Sequence, residues 1–179
     1  MSKTIEINTP LDRQLIEGLN VGDVVYITGE VYTGRDAAHK RMADMLAAGE
    51  PPPFDYVGNI IFYAGPAPAK PGDAIGSIGP TTAGRMDLYA PQLAEAGLTA
   101  MIGKGNRSDA VKQAIIKHGG IYFAGVGGIA ALMSRCVTKV DLVAFEDLGT
   151  EAIRRLEVNR LPVVVAIDSK GNDIYDRNA

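Results

Sequence analysis

Three turns in this 179-residue chain place a cation among glycines, hydroxyls or capping residues. The most informative is Gly79-Pro80-Thr81-Thr82-Ala83-Gly84-Arg85-Met86-Asp87. Two hydroxyls and an arginine four residues after Thr81 suit a small anion. On a helix that spacing puts Thr81 and Arg85 on one face, and a helix N-terminus there adds free N–H groups and a favourable dipole. The plain alternative is that Thr81 or Thr82 is a helix cap and Arg85 is solvated. The second turn is Thr33-Gly34-Arg35-Asp36-Ala37-Ala38-His39. Arg35 falls where a strand gives way to a helix, and a guanidinium grips a carboxylate through two parallel hydrogen bonds. Asp36 is placed to orient Arg35 or His39, or is simply a first-turn acid. His39 reads more readily as a surface or cap histidine than as a catalyst. The third turn, Gly103-Lys104-Gly105-Asn106, follows an apolar run. Its lysine suits an anion contact or is a plain turn residue. It is no Walker A loop, because Gly105 stands where Ser or Thr is needed.

These turns need strands and helices to hold them. Thr9-Pro10 predicts the start of a short helix to Gly18. Val24–Thr28 predicts a strand, and 35–48 a helix with Ala38, Met42 and Met45 or Leu46 on one face, stopped before Pro51-Pro52-Pro53. Ile60–Tyr63 predicts a strand, Ala74–Ile78 a short one, and Gly79 onward a helix through Met86 and Leu88. Thr99–Ile102, Ile121–Ala124, Val140–Phe145 and Leu161–Ile167 predict further strands. Ser108 caps a helix to His118, and Gly127-Gly128 opens one to Cys136. Gly125-Val126-Gly127-Gly128 matches a phosphate-cradling loop only weakly. Strand and helix alternate from Thr99 to Phe145, which predicts a layered α/β domain with a mixed sheet, as one domain over 1–179.

Apolar residues are 46% and charged residues 22%, the balance of a folded globular chain, and the net charge of −3 argues against nucleic acid and acidic membranes. A small anionic ligand must therefore meet a local cationic site. Cys136 is the single cysteine. Alone it forms no internal disulfide and holds neither zinc nor an iron–sulfur cluster, and it reads as a small hydrophobe on an apolar helix face. Met1–Glu6 shows no signal-peptide core, so the expected location is cytoplasmic.

The three turns occur in series with a closing run, Leu156-Glu157-Val158 through Ala166-Ile167-Asp168-Ser169-Lys170-Gly171-Asn172. In that order they resemble the C-terminal domain of class I fumarate hydratases and the β-subunit of L-tartrate dehydratase, over essentially the whole chain. The resemblance implies a swivelling β/β/α three-layer domain. It implies a separate α-subunit whose three cysteines hold a four-iron four-sulfur cluster, with this chain holding no metal. The implied reaction is hydro-lyase chemistry, the reversible hydration of fumarate to (S)-malate. Arg35, Arg85 and Lys104 match the positions that hold the substrate's carboxylates, and Thr81 matches the proposed base for the C3 proton. Asp36, His39 and Thr82 are the supporting residues. A threonine hydroxyl is a poor base unless nearby cations depress its pKa, so Thr81 is alternatively only a hydrogen-bonding group. Thr33-Gly34-Arg35 and Ala83-Gly84-Arg85 look more like fumarases than tartrate dehydratases. L-tartrate or mesaconate-type dicarboxylates remain alternative substrates, and a non-catalytic dicarboxylate-binding domain is the alternative class.

Overall fold

A computed structural model describes residues 2–125 and 130–176. The Val126-Gly127-Gly128 part of the predicted glycine turn therefore lies outside the described residues. The elements are β1 (Thr4–Asn8), α1 (Arg13–Gly18), β2 (Val24–Thr33), α2 (Asp36–Ala47), β3 (Ile60–Phe62), α3 (Ala90–Glu95), β4 (Ala100–Gly103), α4 (Asp109–His118), β5 (Ile121–Gly125), α5 (Ala130–Arg135), β6 (Val137–Ala144) and β7 (Ile153–Ile167). Short 3-10 turns occupy Ala83–Met86 and Glu146–Glu151.

The expected α/β fold with a mixed sheet is what forms. β2, β3, β4 and β5 run parallel side by side. The long β7 pairs antiparallel with both β5 and β2, closing these five strands into a barrel-like ring. β1 extends the sheet beyond β2, and β6 beyond β7.

Strand alternation builds two cores. Ile60, Phe62, Ala100, Ile102, Ile121 and Phe123 point inward and meet Val25, Ile27, Val163 and Val165 from the opposite wall. Their neighbours Ile61, Tyr63, Met101 and Tyr122 point outward, where Ala38 and Met42 of α2, Leu93 of α3, and Val111 and Ile115 of α4 cover them. Successive residues of one strand thus serve different layers, as a period of two requires. The result is sheet, sheet, then helices.

The local sequence explains several boundaries. In α4, Ser108 Oγ accepts the Val111 N–H at 3.3 Å and the helix closes at Gly119, as predicted. α1 begins later than predicted: its cap is Asp12, whose carboxylate accepts the Leu15 N–H at 2.7 Å, so Thr9 and Pro10 stand outside the helix. The predicted strand at Ala74–Ile78 does not form. That stretch belongs to a loop tied by the Ala67 N–H to the Ser77 carbonyl. Cys136 lies just past α5 rather than on its face, and it is only half-buried.

Candidate active site

The turns that carry Arg35, Thr81, Arg85 and Lys104 lie together at the C-terminal edge of the parallel strands. Thr33 ends β2, and the Gly34 N–H donates to the Phe62 carbonyl at the end of β3. Arg35 follows, opening α2. The Thr81 N–H donates to the Tyr63 carbonyl at 2.7 Å, just past β3. Thr82 forms a parallel bridge with Lys104, just past β4: the Lys104 N–H donates to the Thr81 carbonyl at 3.1 Å and the Ala83 N–H to the Lys104 carbonyl at 2.9 Å. In α/β folds, closed or open, the turns that leave parallel strands gather at this edge, where ligand groups can meet.

The α-helix predicted from Gly79 through Met86 and Leu88 does not form. No α-helix begins at Thr81, so free amides and a helix dipole do not make the anion site. The Thr81 and Ala83 amides are already spent on Tyr63 and Lys104. What Thr81 and Arg85 gain instead is a fixed extended segment that leads into the short 3-10 turn, Ala83–Met86.

Arg85 is held from another turn. Its Nε and Nη2 donate to the two carboxylate oxygens of Asp36 at 3.0 and 2.6 Å. Its Nη1 lies 3.4 Å from Thr81 Oγ1, at the long limit for a hydrogen bond. Asp36 thus orients Arg85, not Arg35 or His39. Arg35 pairs with Glu151 at 3.6 Å, too far for a hydrogen bond, and its buried Nε has no hydrogen-bond partner. Gly65 admits this guanidinium, since a Cβ there would come 3.3 Å from Arg35 Nη1. Glu151 also accepts the Ala37 N–H at 3.3 Å and so caps α2 from a distance. Lys104 is exposed and makes no ion pair among the described residues.

Behind this surface lies His39, which the structure places in the core rather than on the surface: it is fully buried. Its Nδ1 contacts the Arg35 carbonyl at 2.8 Å. A carbonyl only accepts, so Nδ1 carries the proton and Nε2 is left as a buried acceptor with no hydrogen-bond partner. The ring stands edge-on to Tyr63 at 5.1 Å. Burial, chiefly, pulls the imidazole down from 6.5 to about 4. His39 therefore stays neutral at pH 7 and braces the Arg35 backbone. A group with a depressed pKa leaves stability intact above its unfolded value. Below pH 6.5 the unfolded chain binds a proton that the folded chain refuses, so stability falls until about pH 4, by roughly 3 kcal/mol in all. Urea midpoints across this window should slope less in His39→Gln than in the natural chain. Parallel slopes would show that His39 is not held neutral.

Arg107, Asp87, Tyr63 and Glu151 also shape this region without having been singled out from the sequence. Arg107 is a buried cation beside the Lys104-Gly105-Asn106 turn, whose Lys104 and Asn106 are exposed. Its only sequence signal was a charged residue directly before the Ser108 cap. Thr82, Arg85 and Lys104 are exposed and Thr81 is half-buried, so the groups form an open face. A 440 Å³ cavity nearby is lined by others, among them Pro66, Ile75, Thr150 and Arg154.

The family model described as the fumarase C-terminus matches residues 1–178. The chain belongs to the fumarase C-terminal family. It is 39% identical over 180 residues to Fumarate hydratase 2 of Leishmania major, covering 98% of this chain and 32% of that one. It is 38% identical over 177 residues to the aerobic class I fumarate hydratase of Salmonella typhimurium, covering 97% and 30%. It is 41% identical over 172 residues to a Methanocaldococcus jannaschii protein named "Putative L(+)-tartrate dehydratase subunit beta", covering 93% and 88%. The chain thus spans about a third of the length of the fumarate hydratases it matches.

As a fumarase C-terminal chain it raises the question of an iron–sulfur cluster, and its own residues do not fit one. Cys136 is its single cysteine, half-buried, with its thiol pushed up by burial, away from the thiolate a metal needs. Among the described residues no group of three His, Cys, Asp or Glu is arranged to hold a metal ion. The last motif of the resemblance, Asp168 to Asn172, is structural and lies at the opposite end of the strands. The buried Asp168 accepts N–H groups from Val21, Lys170 and Asn172 and so ties the turn after β7 to the turn before β2.

Proposed function

We propose that this chain is the β-subunit of a hydro-lyase that hydrates fumarate reversibly to (S)-malate, acting as the carboxylate-holding half of a shared active site. The observation that carries the reading is the Asp36–Arg85–Thr81 array. A guanidinium oriented by two hydrogen bonds reaches a hydroxyl at the strand edge where Arg35 and Lys104 also emerge. A dicarboxylate has two anionic ends, and Arg35, Arg85 and Lys104 offer three cations from three turns to hold them. In the dehydration direction the Thr81 alkoxide takes the C3 proton of malate, the C–H electron pair forms the C2–C3 double bond, and the C2 hydroxyl leaves as hydroxide to a Lewis acid that the partner would supply. The Arg85 guanidinium beside it favours the alkoxide, which a lone threonine in water would not become. Asp36 sets the direction of Arg85, His39 the backbone of Arg35, and Thr82 the position of Lys104.

The cluster belongs to a separate α-subunit and supplies Lewis-acid chemistry there. The open face of this chain is consistent with a site completed by a second protein. The Methanocaldococcus relative, a subunit beta by name and matched over 88% of its length, supports the same division. The single-domain reading and a cytoplasmic location belong to this proposal. Among the described residues no helix is long and apolar enough to cross a membrane.

The test is anaerobic reconstitution with a cluster-bearing partner, with fumarate, mesaconate and L-tartrate offered separately. The expected result is fumarate hydration by the pair and none by this chain alone. Turnover of L-tartrate in preference to fumarate would overturn the substrate assignment. Dicarboxylate binding by the lone chain, with no turnover by the pair, would favour a binding domain instead.

A further inference from the structure

We infer that the Asp87–Arg107 pair is a positioning device, locking the turn that carries Lys104 to the turn that carries Thr81 and Arg85. The Arg107 side chain has no exposed surface, and its Nε donates to Asp87 at 2.7 Å. The other Asp87 oxygen accepts the Ser108 N–H at 2.6 Å. Asp87 lies two residues after Arg85, and Arg107 three residues after Lys104, so this one carboxylate binds the two turns on the far side of both ligand groups. On the near side they are joined by the Thr82–Lys104 bridge. The turn from Lys104 to Ser108 is thereby held at both ends, and in its middle the Tyr122 hydroxyl donates to the Gly105 carbonyl at 2.8 Å.

The guanidinium also reaches the substrate-facing segment through Tyr63. It sits over the Tyr63 and Tyr122 rings at 5.2 and 4.7 Å, and its Nη2 donates to the Tyr63 hydroxyl at 3.2 Å. The Tyr63 carbonyl accepts the Thr81 N–H. Beside the ring, Gly103 leaves no room for adjustment: a Cβ there would come 2.8 Å from Tyr63 and 2.9 Å from the Ala83 side chain. An apolar side chain of Arg107's length would fill this core without desolvating a charge. What it would lack is a rigid fork of donors that ties Asp87, Tyr63 and Met101 to one side chain. A positional error of an ångström at reacting groups is enough to slow chemistry severely.

The kinetic arm of the test rests on the dicarboxylate reading; the exchange arm does not. In Arg107→Met, amide hydrogen exchange on the full chain should be about tenfold faster or more at Ala83 and Lys104, with the α4 amides of Val111 and Ile115 unchanged. In the assembled pair the same variant should lose about tenfold or more of kcat at saturating fumarate. Arg107→Lys, which keeps a cation opposite Asp87, should recover part of it. Natural exchange rates at Ala83 and Lys104 would overturn the inference, as would natural kcat in a pair that turns over fumarate. Faster exchange in the variant, together with a natural pair that leaves fumarate untouched, would uphold the positioning role and sink the hydratase reading. Should Arg107→Met fail to fold, Asp87→Asn, which still offers an oxygen to Ser108, is read by the same exchange criterion.

Discussion

Replacing Arg85 with alanine should lower kcat/KM for fumarate about a hundredfold or more in the assembled enzyme, a loss of about 3 kcal/mol of transition-state stabilisation. Arg85 has two roles in the proposal. It holds a substrate carboxylate, and it stabilises the charge that develops on Thr81 Oγ1, 3.4 Å from its Nη1. The fold should be indifferent to the change. The Arg85 side chain is 53% exposed and its Asp36 partner 36%, so the pair contributes at most about 1 kcal/mol to stability. Steady-state kinetics and a denaturation midpoint together separate the two effects. Arg85→Lys should fall between, because an ammonium keeps the charge but not the fork that matches Asp36. Unchanged kinetics in Arg85→Ala would remove this residue from the site.

Asp87→Ala should act on stability first. The Arg107 side chain it neutralises is wholly covered, while Asp87 itself is 13% exposed. Removing the carboxylate strands a buried cation, a defect that typically costs 3–5 kcal/mol, and the Ser108 N–H loses its acceptor as well. For a chain of this size the thermal midpoint should drop by about 10 °C or more. Calorimetry of the full chain checks this. A change of a degree or two, as for an ordinary surface substitution, would mean that Arg107 finds solvent or another partner.

The parts of the fold legible in the sequence were those that local chemistry decides. Ser108 and the glycine pair after His118 bounded α4 without ambiguity. The apolar runs at Ile60, Thr99 and Ile121 gave three adjacent strands of the ring. The Ala38–Met42 spacing gave α2, and the same spacing bears on His39. Buried positions along α2 run 38, 39, 42 and 43, so His39 lies on the covered stripe. What stayed hidden was decided by distant residues. Thr81-Thr82-Ala83 carries helix-start signals, yet its amides are taken by Tyr63 and Lys104. β7 begins at Ile153, eight residues before its apolar run, because Leu156 and Val158 alternate with charges that face outward on a half-covered strand.

For the candidate site, the sequence offers residue types and little of their wiring. Arg35, Thr81, Arg85 and Lys104 stand on turns at neighbouring strand ends. No local pattern indicated that Asp36 would serve Arg85, 49 residues away, or that Asp87 would reach Arg107 across the next strand. Such pairs follow from strand order, which brings the ends of β2, β3 and β4 side by side.

The central claim is that these turns of one chain seat a single dicarboxylate against a second subunit. An anaerobic crystal structure of the assembled pair with malate tests it most directly. Malate carboxylates are expected within hydrogen-bonding distance of Arg85 and of Lys104 or Arg35, with Thr81 Oγ1 facing C3. Malate seated wholly among the partner's side chains, with Arg85 empty of ligand, would contradict it.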